Sequence, residues 1–186
     1  MLQWVTAVRK EIFIHFAFWF SFFIFVSLLK KWFAIAYWPF WAGGLIGTLL
    51  PDLDHVVYGL YLKPQELNSQ RMSYMFQKRQ VLETMRFLFE TRGERTKLIF
   101  HTATFQLVFL VLMFWVMTSS GSFFGRGLVL AFFLHLLVDQ IVDINETGGL
   151  TNWFRNFPFW QPRDKRQATG WWGAGLIVVL LFGFLL

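Results

Sequence analysis

Two carboxylates and an imidazole fall within four positions in Leu50-Pro51-Asp52-Leu53-Asp54-His55. Pro51 has no backbone donor and restricts the residue before it, so a helix arriving at Leu50 can break there. In the short irregular segment that follows, carboxylates two positions apart can converge, which a regular helix discourages. Oxygen and nitrogen donors together suit zinc, manganese or iron. The same residues also read as a solvated helix terminus closed by an Asx turn.

A second group is His135, Asp139 and Asp143, spaced i, i+4, i+8 through Leu-Leu-Val-Asp-Gln-Ile-Val-Asp. That spacing puts all three on one helical face, where an imidazole and a carboxylate one turn apart can share an ion. In an apolar helix they need pairing, hydration or a metal. A hydrogen-bonded His–Asp pair of purely structural purpose is the alternative, and Asp143, nearest the interface, also reads as solvated. His15 and His101, the latter in Ile-Phe-His-Thr-Ala-Thr, each read alone as a contact to headgroups or a hydroxyl. Joined to the carboxylate clusters, they make a mixed His/Asp site. The candidate metal ligands are His15, Asp52, Asp54, His55, His101, His135 and Asp139, for a divalent ion, zinc or manganese first. Asp52, Asp54 and Asp139 are the candidate catalytic carboxylates, and Glu146 stands near enough in sequence to orient a histidine, to shuttle a proton or simply to face water.

The elements that must position these groups are apolar and long. The 186-residue chain is 56% hydrophobic, with 25 Phe and 10 Trp, more than a soluble core of this size could hide. Its length suits one domain, residues 1–186. Apolar segments at 12–29, 33–50, 98–117, 127–144 and 171–186 predict an all-α polytopic membrane bundle of four to five transmembrane segments. The first rises about 27 Å and the last only about 24 Å against a hydrocarbon core of ~30 Å, so the last is expected to thin the bilayer or to stop inside it. No small-residue cleavage pattern follows the N-terminal residues, which predicts a retained first span. Residues 72–89 mix apolar and charged positions at helical spacing and predict an amphipathic helix on the cytoplasmic side, against the membrane or against protein. The aromatic-rich connection 145–169 is expected at headgroup level. Gly43, Gly44 and Gly47 suit close helix packing.

Charge orients the bundle. If all five segments cross with the N-terminus inside, the cytoplasmic side receives fourteen Lys or Arg and the far side three, Lys30, Lys31 and Arg126, a strong positive-inside bias. His15, the 52–55 cluster, His101, Asp139 and Asp143 then all fall near the cytoplasmic face, because alternating traverses bring them to one depth. The net charge of +6 lies between apolar runs, where anionic lipid is a simpler partner than nucleic acid. The absence of cysteine excludes disulfides and cysteine-ligated metal.

In these blocks the chain resembles a family of small bacterial inner-membrane metal-dependent hydrolases, including the LexA-regulated membrane-bound hydrolase type. An early His at His15, Leu-Leu-Pro-Asp-Leu-Asp-His at 49–55, His101-Thr102, and His-Leu-Leu-Val-Asp at 135–139 with a glycine turn after it occur in family order over most of the chain. It departs where Thr96-Lys97-Leu98 stands in place of the family's His-Arg-Gly. The resemblance implies a multi-pass inner-membrane enzyme using a divalent metal for hydrolysis. A site opening at headgroup level makes a phospholipid or phosphoester the natural substrate, with Arg95, Lys97, Arg163 and Arg166 available to attract phosphate. A metal-stabilised binding or scaffold protein without turnover is the competing class. Ion or proton movement is a third, but the far-side halves of the segments carry few polar groups for a pathway. No glycine-rich nucleotide loop, Ser/His/Asp nucleophile pattern or His-Glu-x-x-His motif occurs.

Overall fold

The computed structural model describes residues 2–91 and 98–185, and among these the regular structure is all helical. Arg92, Arg95 and Lys97, which enter the charge balance above, lie outside the described residues.

Helix α1 (Leu2–Lys30) contains an apolar stretch, Ile12–Lys30, long enough to cross a membrane. It stops where Lys31 turns into the left-handed region, φ 56°, and Trp32 N–H reaches back to Ser27 O at 2.9 Å. The segment expected to span at 33–50 instead opens with a 3₁₀ turn (Ile35–Tyr37), and only then forms α2 (Trp38–Leu49). Pro39 sits in the first turn of α2, where its missing donor is not needed. Twelve residues rise only about 18 Å, so α2 by itself is too short to cross.

After Pro51 the chain forms α3 (Leu53–Val57), a π turn (Tyr58–Leu62), α4 (Leu67–Gln77) and α5 (Val81–Glu90). The amphipathic helix expected over 72–89 is therefore two helices, broken where Arg79 adopts φ 57°. Helix α6 (Ala103–Ser119) is capped by the Thr102 hydroxyl, which accepts from Phe105 N–H at 3.2 Å. Helix α7 (Phe123–Thr147) is capped by Ser122 and ends at Gly148, whose φ of 80° suits a residue without a Cβ. Helix α8 (Lys165–Leu185) begins six residues before the apolar segment expected at 171–186, so its 21 residues reach about 31 Å. The last segment is long enough after all.

Among the described residues three helices are long and apolar enough to cross a membrane: the Ile12–Lys30 part of α1, α7 and α8, while α6 is apolar but shorter. Helix α7 is the axis, with 78% of its apolar window buried against 28% for α1 and 17% for α8. The outer helices turn Phe13, Val111, Trp115 and Phe184 outward, as a multi-pass membrane bundle does when lipid is the solvent. Helices α1, α2, α6 and α8 all pack on α7, α2 most extensively. The α2–α7 contact is backbone on backbone: a Cβ at Gly43 would strike Phe124, one at Gly47 would strike Leu128, and one at Gly127 would strike Phe40.

Polar groups tie the outer helices to this axis. Gln106 on α6 and Gln140 on α7 are both buried. Gln106 Oε1 accepts from Gln140 Nε2 at 2.8 Å and from Trp171 Nε1 of α8 at 3.1 Å. Trp172 Nε1 donates to the Leu137 carbonyl at 2.9 Å. The loop expected at headgroup level is partly core, since Trp153 and Phe154 are buried while Phe159 and Trp160 are exposed.

Candidate metal centre

His15 from α1 and His135 and Asp139 from α7 form a buried trio, each with one ligand atom within 4.8 Å of the others. His15 Nε2 stands 3.4 Å from Asp139 Oδ1, and His135 Nε2 stands 3.1 Å from Asp139 Oδ2. The two imidazole rings lie 4.2 Å apart, centre to centre. One helical turn of α7 supplies two of the groups, and the packing of α1 on α7 supplies the third.

His101 adds a third imidazole. It belongs to the turn before α6 and not to the apolar helix itself, with Nε2 2.9 Å from Asp139 Oδ2 and Nδ1 3.2 Å from Asp54 Oδ2. Asp54 is 1% exposed, and its carboxylate is turned to the backbone of that turn. Oδ1 accepts from Ile99 N–H at 3.0 Å, and Oδ2 from Phe100 N–H at 2.6 Å and His101 N–H at 3.3 Å. Carboxylates only accept, so His101 Nδ1 donates to Asp54, and a proton on Nε2 would be donated to Asp139, the position at which a metal ion would replace it. Hydrogen bonding of this kind fixes ring orientation for ligands of metal ions.

Asp52 stands to one side, with Oδ1 3.6 Å from His135 Nε2 and a side chain 40% exposed. It is the one acidic group of the cluster open to its surroundings. His55 lies beyond His101, with ring centres 5.1 Å apart; the structure does not bring it into the trio. Asp143 accepts from Trp153 Nε1 at 2.7 Å, and Trp153 presents its ring to His101 at 5.5 Å. The fixed position of Trp153 therefore depends on Asp143, which was open between ligand and solvated group. Glu146 is exposed at the end of α7. Sequence reasoning missed Trp153 as a support for His101. The i, i+10 pairing across a glycine turn leaves no periodic signal, although a Trp just after Gly148-Gly149 was visible.

Whether these groups fit an ion is decided by His135. It is 3% exposed, and among the described residues neither ring nitrogen makes a hydrogen bond, although Nε2 lies 3.1 Å from a carboxylate oxygen. Nitrogen and oxygen at that distance without hydrogen-bond direction suit two ligands of one ion. In a tetrahedral site with bonds of about 2.0–2.1 Å, neighbouring ligand atoms lie about 3.3 Å apart. The cluster also concentrates lone pairs, three imidazoles around one buried carboxylate, which a divalent cation answers. It is a His/His/Asp cluster able to hold a metal ion, beside helices able to cross a membrane.

The described residues thus form an all-α bundle, three of its helices long and apolar enough for a multi-pass membrane protein, with a buried cluster able to hold a metal ion. No protein-family model, curated protein or solved structure matches the chain, so its chemistry rests on its own residues.

Proposed function

We propose that this protein is a membrane-bound metal-dependent hydrolase acting at the cytoplasmic membrane surface on a phospholipid or another phosphoester. The observation that carries the reading is His135, whose buried nitrogens lack hydrogen bonds beside the Asp139 carboxylate. His15, His101, His135 and Asp139 would hold the ion, and Asp54 would orient His101. Bound there, zinc or manganese supplies Lewis acidity and a water of lowered pKa. Asp52, open on one side and 3.6 Å from His135, would receive a proton from attacking water. That open side favours turnover over a closed structural site.

The same reading sets the bundle in the inner membrane with four to five crossings and the N-terminus inside, from the charge balance. The resemblance to the inner-membrane hydrolase family points the same way. The test is metal analysis of the detergent-purified protein beside Asp139→Ala and His135→Ala, with a phosphodiester and phospholipid hydrolysis screen. One equivalent of metal in the wild type, lost in both variants, with turnover that follows it, is the expected result. Metal without turnover favours a metal-stabilised scaffold, and full occupancy in both variants rejects the ligand set.

A further inference from the structure

Where the π turn meets α4 there is a cavity of about 200 Å³, lined by His55, Tyr58, Glu66, Asn68, Ser69 and Met72 among others. It stands apart from the metal ligands but shares a wall with them, since the His55 ring lies 5.1 Å from that of His101. Its size is below the roughly 300–1,000 Å³ that encloses a drug-sized ligand. It suits a headgroup fragment whose remainder lies elsewhere.

The lining is unusual for its neighbourhood. Residues 52–97 contain eight Lys or Arg; of the five among the described residues none lines the cavity, and the carboxylate among its lining residues is Glu66. Tyr58, 2% exposed, donates its hydroxyl to Glu66 Oε2 at 2.8 Å. Its carboxylate is thereby held in one place, and Glu66 forms no ion pair among the described residues. A fixed, half-buried carboxylate beside amide, hydroxyl and aromatic groups is a cation-recognising surface, to which a tyrosine ring and a thioether add soft contacts. Phosphate, by contrast, would meet a like charge here.

The geometry points to this cavity as a binding site for an alkylammonium group. Resting on the hydrolase reading, the substrate is then an amine-bearing phospholipid whose ammonium docks on Glu66 while its phosphoester reaches the metal centre past His55 and His101. A soluble alkylamine phosphate offers the same chemistry, so the source is decided by experiment.

The full chain in neutral detergent is incubated with equal amounts of phosphatidylethanolamine and phosphatidylglycerol, and retained lipid is read by native mass spectrometry. Wild type is expected to retain the amine lipid about tenfold over the glycerol lipid, the scale of one charge-assisted hydrogen bond. Glu66→Gln should abolish the preference, and Tyr58→Phe, which frees the carboxylate without removing it, should reduce it; unchanged metal content and melting midpoint establish that both variants are folded. Displacement of the lipid by ethanolamine phosphate assigns the site to a soluble amine, and its persistence assigns it to the lipid. Absence of preference in wild type, or its survival in Glu66→Gln, overturns the proposal. Asp139→Ala separates the two readings: preference retained with metal lost supports both, whereas a wild type that selects the amine but binds no metal keeps the cavity and rejects the hydrolase.

Discussion

Replacing Asp54 by Asn removes a charge while leaving shape almost unaltered, so its effect isolates what the carboxylate does. Two oxygens now accept four N–H groups: Ile99 at Oδ1, and Phe100, His101 and the His101 ring at Oδ2. An amide has one acceptor oxygen. In its better orientation it keeps the three Oδ2 partners and turns an NH₂ toward Ile99 N–H, two donors face to face. Leaving one buried donor unsatisfied costs about 1–3 kcal/mol, and the remaining bonds lose their charge assistance, roughly halving them. The local loss is thus about 2–4 kcal/mol by these two effects, concentrated in the 99–101 turn. Because His101 is oriented through this turn, metal affinity should fall about 10–100-fold, as when a hydrogen-bond partner of a ligating histidine is lost, yet one equivalent should still bind at saturating metal. Amide hydrogen exchange across 99–101, with a metal titration in detergent, reads both quantities. Unchanged exchange and unchanged affinity would refute the anchoring role. Loss of the metal equivalent even at saturation would make Asp54 a ligand in its own right.

At the α2–α7 contact, Gly47→Ala drives a Cβ into the Leu128 backbone and should destabilise by about 1–3 kcal/mol, whereas Gly173→Ala, with nothing within 4 Å of the added atom, should leave the thermal midpoint in detergent unchanged or slightly higher. Asp52→Asn should retain full metal content while lowering hydrolytic turnover by about 10²–10⁴-fold, the range of a general base; equal loss of metal and rate would move Asp52 into the ligand set. Gln140→Leu leaves the buried Gln106 amide short of a partner and should lower stability by about 1–3 kcal/mol, seen as a lower midpoint by tryptophan fluorescence.

Much of this arrangement is visible in the chain before folding. The four-residue spacing of His135 and Asp139 is enough to put them on one face of α7, because helical period alone decides it. The alternation of apolar segments leads to the expectation that His15 and the 52–55 turn meet, and they do so at Asp139 and His135. What escaped was decided across long separations or by backbone. The engagement of Asp54 with N–H groups some 45 positions later has no local pattern, so a carboxylate that orients and one that ligates look alike in sequence. The 33–50 run is uniformly apolar, and apolarity does not distinguish a 3₁₀ turn from a helix, which hid the shortness of α2. The break at Arg79 was hidden likewise, because a left-handed Arg is set by the packing of α4 on α5 and not by the residue type. Trp153 and Phe154 read as interfacial rings since tryptophan suits both places, and only the fold of the loop onto α6 chose the interior.

The glutamine pair carries a mechanical consequence. With Gln106 gripping Gln140 and Trp171 at once, and Trp172 fastened to a carbonyl of α7, α6, α7 and α8 have a single vertical setting; sliding any of them by one turn would strand amides in hydrocarbon. Such a frame resists a one-turn slide of α6, α7 and α8 past one another.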